Sequence, residues 1–483
     1  MLRNGTQLQL SEYAGIYDLV IPPDHFLRKI KENVEFSFVN PMLKEQYCEH
    51  FGRPAKEPEM MFKILFLKRL YDLSDEVLVR DLSYNMAYKY FVGLQPEEGT
   101  IDPSLLTKFR KTRINEDILE EMLGETIQQA IEKDLIKSQS VIVDSTHTHS
   151  KANRETPTQV LRRLAKALRK EVYKTQPELA KYFPEKPLET AEVEEEIRYT
   201  KALAEVLEGR LESKTTWKLR DSIAKMLEGD QIKNIQSGYD PEAKTGHKSK
   251  DSSFFGYKNH LAMTDERLIT AIEVTPGQEP DTTRLQSLIE KTVKNGVKVE
   301  EVIGDKAYSS KSNIEYCEER DIKLISRLSA AVTNGHPRDK GFIYNKDAGT
   351  MQCPQGHLAI RCEIRKHKNG SQYYIYWFSV KTCKKCPCYG TCCQTGAKRK
   401  SYCLKISGET HQRQYAFEQT EYFKKRLKER YKIEAKNAEL KQVHGLTRCK
   451  YVGLFGMQIQ MYFTAFVANV KRIIRLKELA AAH

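Results

Sequence analysis

Three carboxylates in this 483-residue chain stand where a two-metal phosphoryl-transfer site needs them. Asp144 ends the apolar run Val141-Ile142-Val143, and Asp305 follows Val302-Ile303-Gly304. Glu434 lies in a charged helical stretch with Arg430 and Lys441. Two hard divalent cations roughly 3.5–4 Å apart can activate an attacking oxygen and stabilise the leaving one. Mg²⁺ takes oxygen ligands, so a few carboxylates, waters and a substrate phosphate complete its shell. Three such acids repel one another until a metal binds. The chemistry implied is attack on a phosphodiester with Mg²⁺ or Mn²⁺ held by Asp144, Asp305 and Glu434.

A single Asp at a strand end is more often a turn former or a helix cap. The third patch gives the pattern its weight. Arg430, Glu434 and Lys441 stand at i, i+4 and i+11, which at about 100° per residue places all three on one helical face. The competing reading is an ordinary i, i+4 ion pair on a solvated helix. Glu439 is the nearest alternative acid, on a different face from Arg430.

The elements that must position these groups suggest an α/β chain. Residues 1–135 read as helical, with an amphipathic stretch at 57–71, a helix at 75–90 and another opening at Asp102-Pro103, where Asp caps and Pro suits the first helical position. Lys108, Arg110, Lys111 and Arg113 make that last face basic. The region is either a helix-turn-helix-like DNA-binding unit or a plain helical bundle. A mixed sheet flanked by helices is expected over 136–327 and 406–483, with strands at 140–144, 254–263, 268–274, 300–304 and 323–326. Asp281 is expected to cap a helix at 282–294, and another helix is expected at 310–320. A helical insertion at 155–235 interrupts this core. Its face of Arg162, Arg163, Lys166, Arg169 and Lys170 is either solvated or tracks a phosphate backbone. A second insertion, 328–405, precedes a long helix at 411–443.

Lys and Arg number 79 against 65 acidic residues, a net charge of +14. That balance favours a polyanionic partner, nucleic acid before membrane, although a merely soluble basic protein has it too. Residues 451–470 carry no formal charge and could span a bilayer. Gly453, Gly456, Gln458, Gln460 and Asn469 make a buried core helix the better reading. The first 24 residues show no secretory signal, so a cytoplasmic protein without membrane association is expected.

Eight of the eleven cysteines fall between Cys353 and Cys403. In a reducing compartment such a cluster reads as metal binding before disulfide. Cys383 and Cys386 form a C-x₂-C pair, and with Cys392 and the upstream Cys353 they make a four-thiolate zinc site of structural type. Cys362, Cys388, Cys393, Cys403 and His357 remain alternates. His147 and His149, just beyond Asp144, receive no role.

The run from Val141 to Thr146, Gly304-Asp305-Lys306-Ala307-Tyr308, and the spacing of Arg430, Glu434 and Lys441 resemble the DDE transposases of bacterial insertion sequences, of the tyrosine-arginine-glutamate-lysine signature type. The similarity covers most of the chain, with one departure: the position of the signature tyrosine holds Leu427. The resemblance implies a ribonuclease-H-like core with an insertion before the glutamate helix. It implies metal-dependent cleavage of transposon ends and strand transfer into target DNA. The partners implied are double-stranded terminal inverted repeats and target DNA, met by a homodimer on paired ends. By the same resemblance Arg430 and Lys441 contact DNA phosphates near the cleaved end. Trp377 is the candidate for stacking on a flipped base, its alternative being a core tryptophan. A catalytically inactive DNA-binding descendant, or a nuclease that cleaves without joining, are the other functions this pattern allows.

Overall fold

The computed structural model describes residues 11–48, 54–228, 230–247, 252–328, 341–345, 350–366, 372–405 and 409–482. In the N-terminal region the helices that matter are α1 (Pro58–Leu70), α2 (Asp75–Tyr84), α3 (Met86–Val92), α4 (Pro103–Thr112) and α5 (Glu116–Glu132). The single helix expected over 75–90 is two. Asn85 ends α2, and its side chain accepts the Tyr88 N–H to cap α3. Asp102 caps α4 through the Ser104 N–H, as its sequence suggests.

Half of the basic face of α4 is spent inside the molecule. Arg110 is buried and grips both Asp75 oxygens, and Arg113 donates to the Gln46 carbonyl and lies over the Tyr47 ring. Lys108 and Lys111 remain exposed.

The central sheet comprises β1 (Ser140–His149), β2 (Lys244–His247), β3 (Ser253–Thr264), β4 (Ile269–Pro276), β5 (Glu301–Ile303) and β6 (Lys323–Ile325). β3 runs antiparallel to β1, β2 and β4, whereas β5 is parallel to both β1 and β6. The order is therefore β4-β3-β1-β5-β6, with β2 on the same edge of β3 as β4. Val141, Ile142 and Val143 are wholly buried because both faces of β1 are covered. Val141 and Val143 face α9 (Leu285–Lys294) and α10 (Lys311–Glu319). Ile142 faces a core shared with the N-terminal helices.

The expected insertion at 155–235 folds as α6 (Pro157–Thr175), α7 (Val193–Val206) and α8 (Lys214–Leu227) around its own apolar cluster. Its cationic face is also partly spent. Arg162 pairs with Glu196 at 2.6 Å, Arg163 with Glu155 at 2.8 Å, and Arg169 donates to the Tyr199 hydroxyl. Lys166 and Lys170 stay exposed.

Residues 411–443 are not one helix. They form the later part of α11 (Glu409–Glu418), then α12 (Glu421–Lys428) and α13 (Tyr431–Gln442). Thr420 accepts the Phe423 N–H and starts α12 afresh, and the chain breaks again at Glu429 and Arg430.

The uncharged segment belongs to α14 (Leu454–Ala481), whose residues from Met457 to Val470 are buried in the shared core. Its polar residues bond to backbone that would otherwise be orphaned. Asn469 takes both the N–H and the carbonyl of Ile269 on the outer edge of β4, at 2.8 Å each. Gln460 bonds Lys450 N and Arg448 O. Among the described residues no helix is long and apolar enough to cross a membrane.

The second insertion carries β7 (Ile343–Asn345), β8 (Thr350–Gln352) and a three-stranded antiparallel sheet of β9 (Arg361–Lys366), β10 (Gln372–Phe378) and β11 (Lys400–Lys405).

Candidate active site

β1 pairs with β5 only from Ser140 to Ile142, against Glu301 to Ile303. Between Ile142 and the bridge from His149 to Arg448 the β5 side of β1 has no strand partner among the described residues, and Asp144 sits in that gap. β5 is followed by Gly304, where a Cβ would crowd the buried Tyr308 ring at 2.9 Å and Val143 at 3.0 Å. Asp305 then turns the chain, its Oδ1 accepting the Ala307 N–H at 2.6 Å. One Asp305 oxygen is thus a cap, and its Oδ2 faces the Arg430 guanidinium at 4.0 Å.

Glu434 comes from the first turn of α13, which packs across β1. Its carboxylate is 55 % exposed and meets Arg430 Nη2 at 2.5 Å. Arg430 also attracts the Asp144 carboxylate. One guanidinium therefore interacts with all three acids singled out in the sequence. Burial pushes the Asp144 carboxyl up to about 6, with Asp305 and Asp281 adding to the rise. The Ser145 N–H and Arg430 pull it back only in part.

Three residues that the sequence reading does not assign to the site enter here. Asn437, buried on α13, donates to Asp144 Oδ2 at 3.0 Å. It follows Arg430 by seven residues, hence shares its stripe, and the same periodicity could have found it. Asp281 does not cap a helix as expected. Lys258 from β3 holds it at 3.0 Å, and it lies 3.7 Å from Nδ1 of the buried His260. Only the β3–β4 hairpin brings these together, so no local signal marks them. Tyr308, 1 % exposed, has a hydroxyl without a hydrogen-bond partner. Burial and then Asp281, Asp144 and Asp305 raise its pKa.

Lys441 approaches His147 Nδ1 at 3.5 Å. Leu427, at the signature tyrosine's position, packs against the main core. Trp377 is not a core residue of its insertion. It is half-buried on β10, its Nε1 donating to Glu363 at 3.3 Å.

Among the described residues no group of three or more His, Cys, Asp or Glu side chains is arranged as a ready cation cage. Asp144, Asp305 and Glu434 are nonetheless of the right kind for Mg²⁺: hard oxygen donors, Asp144 half-buried, with Arg430 beside them. Cys353, Cys383, Cys386 and Cys392 all line one cavity of about 200 Å³, with Cys388, Cys393 and His357. Burial, and then the neighbouring Cys393, Cys392 and Cys353, raise the Cys383 thiol pKa. Crowded thiols of this kind suit a soft cation.

A transposase domain family (DUF772) matches residues 16–112, and the transposase DDE domain family matches residues 214–470. A protein of Rhizobium meliloti described as "Uncharacterized protein ORF8 in nfe locus" is 35% identical over 100 residues, covering 20% of this chain and 48% of that protein. The chain thus spans about half the length of the curated relative it matches. The matched DDE region contains β2 to β6, the second insertion and Asp305, Arg430, Glu434 and Lys441, while Asp144 lies before it. With more than half of its length within that match, this chain belongs to the DDE transposase family.

Proposed function

We propose that this chain is the transposase of an insertion sequence, cutting DNA at its element's ends and joining them to target DNA. Asp144, Asp305 and Glu434 are the ligands for two Mg²⁺ or Mn²⁺ ions. When bound, such ions activate the attacking oxygen, first of water and then of the freed 3′-hydroxyl, and stabilise the leaving oxygen. Asn437 orients Asp144, while Arg430 and Lys441 bind backbone phosphates beside the acids. Trp377, half-buried and outside the insertion's core, is available for stacking on a base.

The observation that carries this reading is that one helix reaches all three acids: Arg430 pairs with Glu434 and lies 4.0 Å from Asp305, while Asn437 holds Asp144 at 3.0 Å. The strand order β4-β3-β1-β5-β6, three antiparallel strands followed by two parallel ones, supports a ribonuclease-H-like core. A zinc ion on Cys353, Cys383, Cys386 and Cys392 would brace the second insertion, leaving no position open for substrate. Two copies would hold the paired terminal repeats.

A strand-transfer assay with labelled element ends and Mg²⁺ tests the proposal. Cut and joined ends are expected. Ends that are cut but never joined indicate a nuclease, and ends that are bound but uncut indicate a non-catalytic DNA-binding protein.

A further inference from the structure

One guanidinium ties together the starts of the two strands that carry Asp144 and Asp305, and shares Asp265 with the helix that carries Glu434. Arg426, on α12, donates from Nε to Glu301 Oε1 at 2.6 Å. Its Nη2 donates to Ser140 Oγ and to Asp265 Oδ2, each at 2.8 Å. Ser140 opens β1, four residues before Asp144, and Glu301 opens β5, four residues before Asp305. Arg426 itself lies eight residues before Glu434. The ties are reinforced. Ser140 Oγ donates to Glu301 Oε1 at 2.8 Å and the Tyr422 hydroxyl to Glu301 Oε2 at 2.6 Å. Lys432, on α13, takes the other Asp265 oxygen at 3.1 Å. Asp265, in the β3–β4 turn, is therefore held from both sides of the break at Glu429 and Arg430.

We propose that Arg426 is a positioning residue that sets the mutual spacing of Asp144, Asp305 and Glu434. At about 3.3 Å per strand residue it lies roughly 13 Å along each strand from the acids, too far to touch an ion. It acts by fixing the stagger of β1 on β5 and the angle at which α13 crosses them. A planar fork of donors can serve Ser140, Glu301 and Asp265 together, which a lysine ammonium on a flexible stem does not reproduce. Glu301 is only 6 % exposed and Asp265 17 %, so the arrangement is dry and geometrically demanding. The inference rests on reading the three acids as a divalent-ion site.

The test is Mn²⁺ binding to the full chain without DNA, followed by the fall in the free-ion paramagnetic resonance signal. Wild type is compared with Arg426→Lys, and circular dichroism confirms the fold. The expected result is an affinity weaker on the order of tenfold, with end cleavage restored by excess Mn²⁺, which a general loss of folded protein would not permit. Asp265→Asn and Glu301→Gln should shift binding the same way, and carry the test if Arg426→Lys does not fold. Wild-type Mn²⁺ affinity in whichever variants fold overturns the positioning role while leaving the site intact. If wild type itself shows no saturable Mn²⁺ binding, the metal-site reading falls and the positioning role falls with it.

Discussion

The starts of β1 and β5, and the acids four residues further along each chain segment, are built on opposite electrostatic plans. Where these strands begin, Arg426 and Lys432 meet Glu301 and Asp265, and each carboxylate has a cation within about 3 Å. Four residues further on, Asp144, Asp305 and Glu434 share one guanidinium, and Asp144 is buried enough to hold its proton up to about pH 6. The matched end fixes geometry. The mismatched end carries excess negative charge at a strand opening, which a bound cation would relieve. A site for divalent ions needs both: acids that repel one another, and a scaffold that keeps them together regardless.

Breaking the mismatched end should abolish chemistry and spare the fold. Asp144→Asn or Asp305→Asn is expected to slow end cleavage by roughly 10³-fold or more, since losing a metal ligand removes several kcal/mol of transition-state stabilisation. Binding to end fragments in a gel-shift assay should persist. Unchanged cleavage by either variant would remove that residue from the site.

Breaking the matched end should cost stability instead. Arg426→Met leaves Glu301 buried without its cation and is expected to lower unfolding free energy by about 3–5 kcal/mol in urea titrations. Arg430→Met, at a partly exposed position beside Glu434, should cost only about 0–1 kcal/mol. Equal losses would contradict the contrast between the two ends.

The Asp144 carboxyl sharpens the comparison through pH. Its folded-state pKa is raised from its ordinary value near 3.8 to about 6, so the folded protein binds this proton more tightly than the unfolded chain. Stability contributed here is present in acid and lost as pH rises through 6, by about 2–3 kcal/mol for such a shift. In buffer with chelator, Asp144→Asn should therefore be more stable than wild type at pH 7.5, with little difference at pH 3.5. A wild type that outlasts the variant at pH 7.5 would show that the carboxylate is better compensated than described.

The smallest effect concerns the second insertion. Metal analysis of protein purified under reducing conditions should find about one zinc per chain. Cys383→Ser or Cys386→Ser should lose it while the unfolding midpoint of the main core hardly moves, since the insertion has its own apolar cluster. Absence of zinc from wild type would remove the proposed thiolate site.

The sequence was most readable where local pattern and tertiary burial agree. The run Val141-Ile142-Val143 is a strand buried on both faces, and Asp102-Pro103 starts a helix as its chemistry suggests. The sequence suggests one long helix at 411–443 because its charged residues keep a helical period across two breaks. The breaks depend on the Thr420 cap and on Asp265, a turn residue from another part of the sheet. Asp281 looked like a cap because nothing local reveals that Lys258 claims it. The basic faces, open to either a solvated or a DNA-binding reading, are partly taken up internally, since Arg110, Arg162 and Arg163 have acidic partners 35, 34 and 8 residues away in sequence. Asn437 shares the stripe of Arg430, but an uncharged amide gives a charge-based periodicity argument nothing to select.

The most direct test of the central claim is calorimetric titration of Mn²⁺ into wild type and into Asp144→Asn, Asp305→Asn and Glu434→Gln, each folded and each without DNA. Joint ligation by the three acids predicts saturable binding to wild type that every one of the three substitutions weakens by at least roughly tenfold. Wild-type affinity in any one of them would exclude that side chain from the ions, and wild-type affinity in all three would contradict the account.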